Sequence, residues 1–198
     1  MSSIVISGDT SGSVTLAAPA VAGTNTLTLP VGTATLTANG LNSNIVAGTA
    51  VASTSGTSID FTSIPSWVKR ITVMFTGVSV SASVTPLIQI GSGSFTTTGY
   101  LGSSTNCTAS TTVTSNFTNG FGIRNTTGAG ALFNGCVSIN LLTTNTWSAF
   151  GVLSQSDTTV TTMTSGSVVI GGTLDRVRIT TSTGTDTFDA GSINILYE

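Results

Sequence analysis

Along most of this chain apolar and hydroxyl-bearing residues alternate with a period of two, the pattern of strands with one buried and one wet face. No window carries the i, i+3, i+4, i+7 stripe of an amphipathic helix. The alternation predicts strands at 14–16, 26–29, 34–37, 57–61, 70–78, 87–90, 111–113, 120–123, 131–142, 147–154, 159–165, 167–170, 175–181 and 191–197. Turn signals separate them at short spacing: Gly8-Asp9, Gly91-Ser92-Gly93, Asn125-Thr126-Thr127-Gly128, Gly171-Gly172 and Ser182-Thr183-Gly184. Short strands at such spacing suit an antiparallel sandwich or barrel. We expect an all-β protein whose main domain is a jelly-roll-like antiparallel β-sandwich.

The pattern changes along the chain. Residues 1–45 contain no aromatic and no cationic side chain, and short Thr/Leu units recur there: Val14-Thr15-Leu16, Thr26-Leu27-Thr28-Leu29-Pro30 and Ala34-Thr35-Leu36-Thr37. Each is too short and too small-sided to build a core alone, so the units call for stacking against copies in neighbouring chains. Residues 46–58 read as a linker rich in small residues, and from Ile59 onward aromatic residues appear and the strands lengthen. The expected organisation is an oligomerising β-repeat anchor (1–45), a linker (46–58) and a β-sandwich (59–198).

Composition narrows the chemistry. Charged residues make up 6% of the chain against about 25% in an ordinary soluble domain, so its surface must be filled by Thr, Ser, Asn and Gly. There is no histidine, and the only glutamate is Glu198, which removes the commonest general base and rules out a Ser-His-Asp arrangement. Lys69 is the only lysine for a Ser-Lys alternative, and it stands at the start of an expected structural strand. Asp175, Asp186 and Asp189 lack the spacing of a calcium loop and the aromatic cleft of a glycosidase, and read as turn and ion-pair residues. We therefore expect no catalytic residues, no metal and no cofactor. Five cations in 198 residues make no phosphate-binding patch, and no run approaches the ~18 apolar residues of a membrane helix. Nucleic acid and membrane insertion are not expected, and no secretory signal is read at Met1-Ser2-Ser3-Ile4-Val5. Cys107 and Cys136 read as two buried thiols, with a disulfide left open.

Three side chains stand out as candidate ligand contacts. Tyr100 follows the polar stretch Gly91–Gly99, where it could engage a glycan or simply cover a loop. Arg124 is an isolated cation beside a turn, placed to meet an anionic sugar or an acid across a subunit boundary. Trp147 and Phe150 fall on opposite faces of one strand; if Phe150 faces the core, Trp147 faces outward as a recognition residue. Trp67, just after Pro65, reads as a plug over the sandwich end.

The opening Ile6-Ser7-Gly8-Asp9-Thr10-Ser11-Gly12-Ser13-Val14-Thr15-Leu16, continuing to Pro30, resembles the start of tailed-bacteriophage tail-fibre and related virion structural proteins. So do Ile64-Pro65-Ser66-Trp67-Val68-Lys69-Arg70-Ile71 and the C-terminal block from Leu174-Asp175-Arg176-Val177-Arg178 to Tyr197-Glu198. The resemblance implies a homotrimeric tail fibre or adhesin of the virion. Residues 1–45 would dock on other virion proteins, and the β-domain would face host cell-envelope glycan. A capsid decoration or head-fibre protein would share this layout, and a cellular surface adhesin or lectin would share the composition.

Overall fold

The computed structural model describes residues 3–7, 13–17, 45–125 and 128–198, which form strands and connections without a helix. The chain separates into two units, Met1–Asn42 and Ser43–Glu198. In the first, β1 (Ser3–Ser7) and β2 (Ser13–Ala17) pair antiparallel with Ser3 opposite Ala17. The expected strand at 14–16 lies within β2, whereas those at 26–29 and 34–37 fall outside the described residues.

The second unit is an antiparallel sandwich. Its strands are β3 (Val46–Ala47), β4 (Val51–Ala52), β5 (Ser58–Thr62), β6 (Arg70–Val80), β7 (Pro86–Ser92), β8 (Ser94–Phe95) and β9 (Leu101–Cys107). They continue as β10 (Thr112–Phe117), β11 (Phe121–Gly122), β12 (Phe133–Thr143), β13 (Thr146–Gln155), β14 (Val160–Val169), β15 (Arg176–Thr181) and β16 (Phe188–Tyr197). The large sheet runs β10-β9-β14-β13-β12-β6-β16-β3, with β4 also on β16; the small sheet runs β11-β7-β15-β5, with β8 on β7. Early strands pair with late ones in both sheets, β6 with β16 and β7 with β15, which is the rolled, jelly-roll-like element. A meander, β12-β13-β14, fills the middle.

Alternation decides which side chains meet between the sheets. Ile59, Phe61, Ile88, Ile90, Val177 and Ile179 point inward from the small sheet. Ile71, Val73, Val137, Ile139, Trp147 and Leu153 meet them from the large one. Each fully buried side chain of this size stabilises the fold by about 1.5–3 kcal/mol.

Four expectations are corrected. Residues 46–53 are not a linker: β3 and β4 pair with β16, Gly48 N–H donates to Ile195 O at 2.8 Å, and Ser53 N–H donates to Gly191 O at 2.9 Å. Small residues look like loop in a sequence, but the edge of a sheet asks mainly for backbone groups. The expected strands at 159–165 and 167–170 are one strand, β14, carried through Gly166, where a Cβ would come within 2.7 Å of Gly102 Cα on β9. The thiols are not buried together: Cys107 is half-buried, Cys136 is exposed, and β14 and β13 lie between their strands. Three inter-strand steps separate them by about 14 Å, twice the reach of a disulfide. Trp67 is not a plug. It is 40% exposed and lies tilted on Tyr197 with ring centres 5.9 Å apart, while Ile64 and Val68 beside it enter the core.

Candidate functional site

The outward positions of the small sheet carry a row of polar side chains. Asp60, Arg178 and Gln89 stand directly opposite one another on β5, β15 and β7. Their inward neighbours Ile59, Ile179 and Ile88 form the matching row in the core, so the pleat that buries one row presents the other. Arg178 donates to both carboxylate oxygens of Asp60, at 2.8 and 2.7 Å. This two-point hydrogen bond raises the Arg178 pKa against the opposing effect of partial burial. The side chain of Gln89 is nearly buried, and its amide donates to Asn119 O at 2.7 Å.

An aromatic ring roofs one end of this row. β8 folds back on β7 so that Phe95 stands opposite Gly91, and the backbone of Ser94 and Phe95 crosses the place where Gly91 has no side chain. The Phe95 ring reaches Arg178, whose guanidinium carbon lies 4.0 Å from the ring centre, and Arg176 at 5.6 Å. A Cβ at Gly91 would lie 2.8 Å from Phe95 Cα, so the close approach requires glycine. Asp175 fastens the arrangement: it accepts from Arg176 at 2.7 Å and from the Gly93 N–H at 3.1 Å, the turn between β7 and β8. The Arg176 hydrogen bond, chiefly, holds the Asp175 carboxyl below the usual range.

Beyond Arg178 the surface opens into a groove of about 440 Å³, lined by Ser58, Gln89, Thr97, Asn119, Thr180 and the loop Thr181–Gly184. Internal bonds hold its walls. Thr180 Oγ1 donates to Thr57 O at 2.9 Å, Thr181 and Thr183 hydroxyls meet at 3.1 Å, and Thr183 donates to Asp186. The groove thus offers hydroxyls, amides and a guanidinium neutralised by its carboxylate, beside an aromatic ring. Such a set can hydrogen-bond adjacent hydroxyl groups and stack on a C–H face; it contains no group suited to proton transfer near neutral pH.

The three side chains singled out from sequence do not assemble into a site. Tyr100 is fully buried. Its hydroxyl accepts from the Ile90 N–H at 2.9 Å and donates to Thr96 O at 3.0 Å, and its ring stands edge-on to Phe121 at 4.9 Å. Burial pushes its pKa well above the usual phenol value, with the Ile90 hydrogen bond opposing. It rivets the segment that carries Phe95 and cannot touch a ligand. Trp147 also faces the core, between Leu141 on β12 and Val168 on β14, while Phe150 is the outward residue. Arg124 is half-buried in the loop after β11, its Nε buried without a hydrogen-bond partner; burial lowers its pKa and the charge of Asp157 opposes this. It lies outside the lining of the groove.

Sequence reasoning passed over Asp60, Gln89, Phe95 and Arg178 as candidate ligand contacts. The available signal was Asp175-Arg176-Val177-Arg178-Ile179-Thr180, where two of the chain's five cations alternate with core residues on one outward face. Compared with family models, curated proteins and solved structures, the chain matches none.

Proposed function

We propose that this chain is a bacteriophage virion structural protein, a homotrimeric tail fibre that contributes to host attachment by holding cell-envelope glycan in the groove of its small sheet. The glycan part is carried by one observation: the Asp60–Arg178–Gln89 row, with Phe95 over Arg178 and a hydroxyl- and amide-lined groove beside it. Planar polar groups in fixed orientation match pairs of sugar hydroxyls, and the exposed rim of an aromatic ring matches the apolar face of a pyranose. Because Asp60 already neutralises Arg178, the ligand is an uncharged saccharide rather than an acidic one. The virion part is supported by the resemblance of the three sequence blocks, with residues 1–45 meeting other virion proteins. Binding is non-covalent, and several copies engaging one cell turn weak single-site affinity into avidity.

The test is an array of bacterial neutral and acidic polysaccharides probed with the full-length chain and with Arg178→Ala. Binding to neutral saccharides that Arg178→Ala abolishes is the expected result. Binding that survives the substitution, or is confined to acidic saccharides, would overturn the groove as the site. Antibody labelling of intact particles checks the virion part, with label expected on the tail.

A further inference from the structure

The outward face of the large sheet is built differently from that of the small one. The five adjacent strands β10, β9, β14, β13 and β12 contain no charged residue at all. Yet large apolar side chains project from them into solvent: Phe150 is 62% exposed, Val152 54% and Met163 48%. Register brings these together. Val152 stands opposite Met163 on one side and Cys136 on the other, Cys136 stands opposite half-buried Met74 on β6, and Phe150 lies two residues from Val152 on the same face. Around this centre the outward positions are hydroxyls: Ser138 and Ser165 opposite Phe150, and Ser154 opposite Thr161.

An apolar centre without charges, ringed by uncharged polar groups, is the anatomy of a protein–protein contact. From β10 to β6 the sheet spans five strand spacings of ~4.8 Å with strands of up to eleven residues at ~3.3 Å each, a face of at most ~870 Å². Each partner in a stable complex buries about 800 Å². We infer that a second copy of this chain covers this face, with Phe150, Val152, Met163 and Cys136 at the centre of the contact. The occupant is a copy because the face meets itself without like-charge repulsion and offers a foreign partner no charge to recognise. The inference rests only on the homo-oligomeric part of the reading above: a face that meets itself makes a two-fold contact, which pairs chains in addition to any stacking of residues 1–45.

The experiment uses the full-length chain. Light scattering gives its mass, and maleimide labelling, read by peptide mapping, gives the rate at Cys136 against the same chain unfolded. The expected mass is a multiple of the 19.8 kDa chain, with Cys136 labelled more slowly than in the unfolded chain by at least an order of magnitude. Val152→Asp, checked for an unchanged circular dichroism spectrum, should lower the mass and speed labelling of Cys136. A dimer would uphold the contact and overturn the trimer. A monomeric wild type, or an oligomer whose Cys136 reacts at the unfolded rate, would overturn the contact. Saccharide binding by a chain whose Cys136 is freely labelled would uphold the groove while this inference fails.

Discussion

The two outward faces of the sandwich follow the same pleat and use it oppositely. On the small sheet the outward row is Asp60–Arg178–Gln89, fixed by a two-point ion pair, a hydrogen bond from the Gln89 amide to the Asn119 carbonyl and the Phe95 ring. On the large sheet the corresponding row is Met74–Cys136–Val152–Met163, with no ion pair and no charge on β9, β12, β13 or β14. Rows of bonded polar groups hold their geometry and suit recognition of a small polar ligand. Rows of apolar groups amid hydroxyls gain most from being covered by a broad surface. In a chain with twelve charged residues, where the charges stand separates the two uses.

The sharpest way to break this division is to exchange inward for outward. Trp147→Ala opens a cavity in the shared core and should lower unfolding stability by about 3–5 kcal/mol in a urea titration. Phe150→Ala, three residues away on the outward face, should change the stability of protein diluted until it is monomeric by no more than ~0.5 kcal/mol. Equal losses at the two positions would mean that the faces had been assigned wrongly. Next in size is Gly91→Ala, whose methyl would run into the Ser94 carbonyl oxygen and Phe95 Cα; overpacking of this kind costs about 1–3 kcal/mol, and displacing Phe95 from Arg178 should remove saccharide binding.

Tyr100→Phe should cost about 1–3 kcal/mol, because the Ile90 N–H and Thr96 carbonyl lose their shared partner while the ring packing on Phe121 stays. Saccharide affinity should fall only as far as the Phe95 segment loosens. The smallest effect belongs to Asp175. Its carboxyl is held below the usual range, chiefly by Arg176, so the folded chain takes up this proton less readily than the unfolded one. Its stabilising contribution is therefore complete above about pH 4 and is lost as pH falls through the folded-state value. Solvent screening keeps it small. The difference in urea midpoint between wild type and Asp175→Asn should be measurable at pH 7 and narrow at pH 3.

Much of the fold was legible because period two is a direct reading of the pleat. β6, β12, β13, β15 and β16 contain alternating large apolar residues, and each was found within a few residues of its ends. β9 was missed: Leu101-Gly102-Ser103-Ser104-Thr105-Asn106-Cys107 buries Ser104 and Asn106 where an apolar residue would have revealed the strand. The site was less legible. Tyr100 and Trp147 were singled out by residue type, and residue type does not say which face is wet. For Trp147 the choice turned on Phe150, and the structure places Trp147 inside. Gln89 and Phe95 become neighbours of Arg178 only through pairing across β7 and the fold-back at Gly91, contacts between residues more than eighty positions apart.

The most direct test of the two-face account is amide hydrogen exchange of the full-length chain with and without a neutral saccharide bound on the array. The account predicts added protection in the Gly93–Thr98 and Ser182–Thr187 segments bordering the groove, and no change across Thr146–Val169. Added protection within Thr146–Val169, with the groove segments unchanged, would contradict it.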